Sequence, residues 1–86
     1  MMTHFQKKFG ERCGRRIYSK EIGQLKWKII HNKMLCCFDT LHGPRTWFRL
    51  VLSQHKSAYL LYDFDQEYII TVYDQDMFEE LIQNER

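Results

Sequence analysis

The chain has one proline and four glycines in 86 residues, too few for a flexible linker or a low-complexity segment. No apolar run approaches the roughly 18 residues of a membrane span. The N-terminus also lacks the apolar stretch of a signal peptide, so the expected location is the cytoplasm, with no membrane partner. The three cysteines are an odd number, and Cys36 and Cys37 are adjacent, which is poor disulfide geometry, so free thiols are expected. Neither C-x-x-C nor H-x-x-x-H spacing occurs, so no metal is expected. Gly10, Gly14, Gly23 and Gly43 make no phosphate loop. No serine or cysteine stands in a nucleophile context, and no cofactor is implied.

Negative charge is scarce in one half only. Residues 1–34 hold nine Lys/Arg against two acids, Glu11 and Glu21, a net of +7. Residues 35–86 hold four Lys/Arg against nine acids, a net of −5. The overall +2 hides this split. A concentrated positive half suits a polyanion-binding protein, because phosphate neutralisation and counterion release supply most non-specific affinity. The alternative is an acidic half folded back onto a basic one.

At this length one domain over 1–86 is expected. Apolar residues make up 44% and aromatics 15%, which supports a folded core rather than disorder. Thr3–Gly14 reads as a short helix, capped by Thr3 and stopped by Gly14, with Phe5, Phe9 and Cys13 as its apolar stripe. A second helix is expected from Ser19 to about Lys33, with Ile22, Leu25, Ile29 and Ile30 on its apolar face. The period then changes to two. Leu35–Thr40, Arg45–Ser53, Ala58–Asp63 and Glu67–Tyr73 are candidate strands, and the short links favour antiparallel hairpins. Asp76 followed by Glu79 resembles a capping box that opens a third helix. The expected fold is α+β: two N-terminal helices, a four-stranded antiparallel meander and a C-terminal helix, with helices on one face of the sheet.

Candidate sites follow from residue type and spacing. Arg45, Trp47 and Arg49 alternate along one strand face, a pattern that grips RNA through guanidinium–phosphate and indole–base contacts. The competing reading places Trp47 under the third helix and the arginines against neighbouring acids. His4, Lys8 and Arg12 share one helix stripe. Metal-independent RNA cleavage needs a proton-transfer group, which His4 would supply, and cations for the strained phosphate. A solvated basic helix face gives the same pattern. Lys7, Arg15 and Arg16 extend the basic surface. On the fourth strand Tyr68, Ile70 and Val72 point one way, and Ile69, Thr71 and Tyr73 the other. Asp74, Asp76, Glu79 and Glu80 form an acidic patch suited to a basic protein partner.

The opening His4-Phe5…Phe9…Glu11-Arg12-Cys13-Gly14 and the closing Tyr62-Asp63…Tyr68-Ile69-Ile70-Thr71-Val72-Tyr73 resemble small bacterial and phage domains similar to the RelE and BrnT toxins. Those toxins are compact, metal-independent ribonucleases of toxin–antitoxin systems. The resemblance implies a RelE-like fold and an active surface with His4, Arg12 and Tyr73 as catalytic residues, aided by Arg45, Arg49 and Thr71. It also implies RNA as substrate and an antitoxin or host protein as partner. The acidic C-terminal half departs from such toxins, which are basic throughout. The alternative expectation is therefore a non-enzymatic, phage-type inhibitor that binds protein through its acidic face.

Overall fold

The computed structural model describes residues 3–39 and 44–84, with the main chain alone for Leu35–Asp39. Helix α1 spans His4–Cys13. Thr3 Oγ1 accepts from the Gln6 amide at 3.2 Å, and Gln6 Oε1 accepts from the Thr3 amide at 2.9 Å. This reciprocal box satisfies two amides that the helix itself leaves unpaired. Gly14 ends the helix in the left-handed region, φ 76°, where a side chain would be strained. Helix α2 spans Ser19–Ile30 and buries Leu25 and Ile29. It stops short of the expected Lys33 because Asn32 turns left-handed, φ 57°. The Asn32 amide then donates to Ile29 O at 3.3 Å and the Lys33 amide to Lys28 O at 2.7 Å, the bond pair of a Schellman closure.

Strands β1 (Leu35–Asp39), β2 (Arg45–Ser53), β3 (Lys56–Asp63) and β4 (Tyr68–Asp74) pair antiparallel in chain order. The expected Thr40 end of β1 and the His42-Gly43 part of the following turn lie outside the described residues. Between β3 and β4, Asp63 Oδ1 accepts from the amides of Asp65 and Gln66 at 2.9 and 3.0 Å, and Glu67 completes the turn at φ 55°. Helix α3 (Gln75–Asn84) follows β4 without a linker. Its cap is Asp74, whose Oδ1 accepts from the Met77 amide at 2.9 Å. The expected Asp76 cap lies instead within the first helical turn.

The expected sheet, a four-stranded antiparallel meander with helices on one face, requires correction. Among the residues whose side chains are described, the sheet residues of the core come from three strands, β2–β4. β1 joins at the margin of β2 through a ladder whose register shifts between Cys36 and Phe38. Both faces are covered, moreover. Phe48, Ala58, Leu60, Tyr62, Ile69 and Val72 pack with Phe5, Phe9, Leu25 and Ile29 of α1 and α2. The alternate residues Trp47, Tyr59, Leu61 and Tyr73 pack with Phe78, Leu81 and Ile82 of α3. The physical reason is the pleat: Ala58–Tyr62 is an unbroken apolar run, and a strand apolar on both sides must be covered on both sides. Each large side chain fully buried in this way contributes about 1.5–3 kcal/mol of transfer free energy.

β4 departs from strict alternation. Leu61 pairs with Thr71 but Tyr62 pairs with Ile69, so Ile70 is an extra residue, a β-bulge. Ile69 and Val72 therefore both enter the α1/α2 core. The expected grouping of Ile70 with Val72 does not hold. Among the described residues no helix is long and apolar enough to cross a membrane.

Candidate nucleic-acid interface

The basic–aromatic face of β2 lies beneath α3. Trp47 is 4% exposed, with ring centroids 4.8 Å from Tyr73 and 5.3 Å from Phe78. Its indole is a core element here and has no open face for a base. Arg45 Nε approaches Asp63 Oδ2 at 3.5 Å, and Arg49 Nε donates to Ser57 Oγ at 3.1 Å. Three sources hold the Asp63 carboxyl below the usual carboxylate range: chiefly the Gln66 amide, then the Asp65 amide and Arg45, against an opposing effect of burial.

His4, Arg12 and Tyr73 are only partly brought together. The Arg12 guanidinium sits 5.5 Å from the Tyr73 ring. It donates to Val72 O at 2.7 Å and to Thr71 Oγ1 at 3.4 Å. These contacts tie α1 to the outer edge of β4, where strand carbonyls lack a neighbouring strand. His4 is exposed at the other end of α1 and lines a shallow cavity with Lys26 and Tyr68. Eight residues at about 1.5 Å per residue put it about 12 Å along the helix from Arg12.

The remaining α1 cations divide into paired and open ones. Lys8 Nζ lies 3.3 Å from Glu11. Arg15 makes a two-pronged contact with Glu21 at 3.1 and 3.0 Å and covers Phe9 at 5.1 Å. Lys7 and Arg16 line a largely apolar cavity of about 370 Å³ with Tyr18. On the opposite side of the sheet Asp76, Glu79 and Glu80 are exposed on α3, whereas Asp74 is occupied as its cap.

A polar cleft of about 240 Å³ joins Arg12, His55, Lys56, Ser57, Asp74 and Asp76. Its principal groups serve the fold. Lys56 Nζ donates to Cys13 O at 3.0 Å, a cation on the C-terminal end of α1 as the helix dipole favours. Burial pushes the Cys13 thiol up from its ordinary range, which disfavours a reactive thiolate. Among the described residues no His/Cys/Asp/Glu group is arranged to hold a metal.

One exposed aromatic of the basic layer was not among the sequence candidates. Trp27 of α2 is 53% exposed and stacks on His31, with centroids 4.3 Å apart and planes at 22°. His31 Nδ1 donates to Trp27 O at 2.9 Å, which fixes the imidazole at the helix end. The sequence did carry a signal. Trp27 lies two residues from both Leu25 and Ile29, and at about 100° per residue that puts it opposite the buried stripe. Lys20, Lys26, Lys28 and Lys33 surround this face, and none of them is paired with a carboxylate among the described residues.

Comparison with protein-family models, with characterised proteins and with solved structures finds no significant match.

Proposed function

We propose that this chain is a binding domain for single-stranded RNA that works through the outer face of α2. The observation that carries this reading is the open Trp27–His31 stack among lysines that have no carboxylate partner among the described residues. An aromatic platform beside cations is the general means of holding a single strand: bases stack on the rings and the cations track the backbone. The acidic α3 lies across the sheet, so it does not neutralise this surface.

The reading favours binding over cleavage. Arg12 is engaged by Val72 and Thr71, and Lys8, the cation one helical turn from His4, is paired with Glu11. The exposed acids of α3 support a second reading, a docking surface for a basic protein.

Binding of an oligouridylate at low salt tests the choice. Trp27→Ala should weaken it about 5- to 150-fold, the equivalent of one stacked base at roughly 1–3 kcal/mol. Affinity should also fall steeply as salt rises. An oligouridylate that fails to bind at low salt would rule the RNA reading out and leave the acidic surface as the better candidate.

A further inference from the structure

We propose that the cavity between α1 and the 16–18 segment is a binding site for a nucleotide unit, a planar base in the cavity with its phosphate on Lys7 and Arg16. The site goes beyond the α2 surface and does not depend on it. The cavity measures about 370 Å³ and is largely apolar, the size and character of a small-ligand site. Its two cations come from different parts of the chain, and neither has a carboxylate partner among the described residues. An apolar slot flanked by two unpaired cations fits a ligand with a flat apolar body and a doubly charged anionic group. An arginine fork matches phosphate oxygens in particular.

The walls are fixed before any ligand arrives. Gln6 Nε2 donates to Ile17 O at 3.3 Å while Gln6 Oε1 accepts from the Thr3 amide, so this side chain is a strut between α1 and the facing segment. Ile17 is buried in the core, and the two-pronged contact of Arg15 with Glu21 ties the segment to α2. A site built in this way avoids the ordering cost of binding.

Gly10 is the informative residue. An interior glycine weakens a helix relative to alanine. Only Arg15 O, at 3.9 Å, stands near the place its Cβ would take, an ordinary contact distance. Its backbone is not left-handed either. Packing therefore does not require a glycine at this position. The missing side chain instead leaves open space in the wall of the cavity.

The helix dipoles do not account for the cations. Lys7 closes the first turn of α1, near the end where the dipole opposes positive charge. The other end of α1 is already served by Lys56, which donates to Cys13 O at 3.0 Å, so Arg16 is not needed there. The one acid of the lining, Glu11, faces Lys8 Nζ at 3.3 Å, which offsets its repulsion of an anion. Tyr18 is 61% exposed, a ring open to stacking on a base.

The test is a titration of isotope-labelled protein with uridine monophosphate, uridine, inorganic phosphate and an oligouridylate. It follows the main-chain amides of Gly10 and Tyr18 and the Trp27 indole N–H. Uridine monophosphate should shift both amides, and uridine or phosphate alone should bind about tenfold more weakly or worse, the equivalent of one lost charge-assisted contact. Lys7→Gln with Arg16→Gln should bring uridine monophosphate down to the affinity of uridine. Gly10→Ala should raise the urea midpoint and yet weaken uridine monophosphate severalfold. Amides unmoved by uridine monophosphate, or uridine binding as tightly as its monophosphate, would overturn the proposal. So would a Gly10→Ala protein that is less stable than the parent or binds the nucleotide equally well. Oligouridylate that shifts the two amides supports the site with a strand as the source of the nucleotide, and oligouridylate that leaves them still supports it with free nucleotide as the source. If uridine monophosphate shifts the cavity amides while oligouridylate leaves the Trp27 indole unmoved, this site stands and the α2 reading falls.

Discussion

The Arg12 guanidinium donates to the main-chain carbonyl of Val72 at 2.7 Å, so a helix side chain closes the hydrogen bonding of the outermost strand. A charged donor on a carbonyl is worth about 1.5–3 kcal/mol, and the adjacent Tyr73 ring, 5.5 Å away, adds about 0.5–1 kcal/mol. Arg12→Ala should therefore lower stability in urea by about 2–4 kcal/mol. Arg12→Lys should fall between, because an ammonium can still donate to Val72 O but lacks the planar guanidinium that stacks against Tyr73. An unchanged urea midpoint in Arg12→Ala, with RNA binding lost, would return Arg12 to the ligand surface.

The second core depends on one ring. Phe78 stacks on Tyr59 with centroids 4.0 Å apart and planes at 3°, and its edge meets Trp47. Phe78→Ala should cost about 3–5 kcal/mol, the range for deleting a buried phenyl group. It should also abolish the near-ultraviolet dichroism of Trp47 while leaving the Trp27 indole resonance in place. Loss of both indole signals together would mean that the two faces of the sheet do not unfold separately.

Asp63 sets the acid limb of stability. Its carboxyl lies below its unfolded range in the native state, chiefly through the Gln66 amide. The unfolded chain consequently binds the proton first as pH falls. The stabilisation is complete above the unfolded value of about 3.9 and is lost as pH falls below it. Asp63→Asn should flatten the pH dependence of the urea midpoint below about pH 4, and an acid limb identical to that of the parent would refute the assignment.

Tyr62 supplies the opposite sign. Its hydroxyl is buried and has no hydrogen-bond partner among the described residues, and burial raises its ionisation above the usual tyrosine range. The unfolded chain releases this proton first, so native stability falls as pH rises past about 10. Tyr62→Phe should flatten that alkaline limb. At neutral pH it should leave stability unchanged or raise it by up to about 1–3 kcal/mol, since an unsatisfied buried hydroxyl is removed. A clear loss of stability at neutral pH would show that the hydroxyl is in fact satisfied.

Local chemistry made much of this molecule readable in advance. The Thr3 cap and the Gly14 stop of α1 are decided within one turn each, and they lie where the side chains dictate. The Asp63–Glu67 turn is similarly local. What escaped was set by tertiary contact. β4 is apolar on both sides, so its pattern does not mark the extra residue at Ile70. Trp47 alternates with arginines as a surface residue would, and only the arrival of Phe78 makes it core. The apolar run Ala58–Tyr62 carried a sign that both faces of the sheet are covered, but the expectation of helices on one face passed it over. At the interface, Trp27 was overlooked because a tryptophan inside an amphipathic helix is easily counted with its core. Its angular offset from Leu25 and Ile29 gave the contrary sign.

Placing α1 and α2 on one side of the sheet and α3 on the other turns the lengthwise charge split into a dipole directed across the molecule. A net charge of +2 would steer an approaching polyanion only weakly. A dipole normal to the sheet exerts a torque on the protein as well as an attraction. The domain would be turned α2 foremost before contact, and the acidic helix would be left facing solvent. Once the domain is bound, that helix is the part still open to a second, basic molecule.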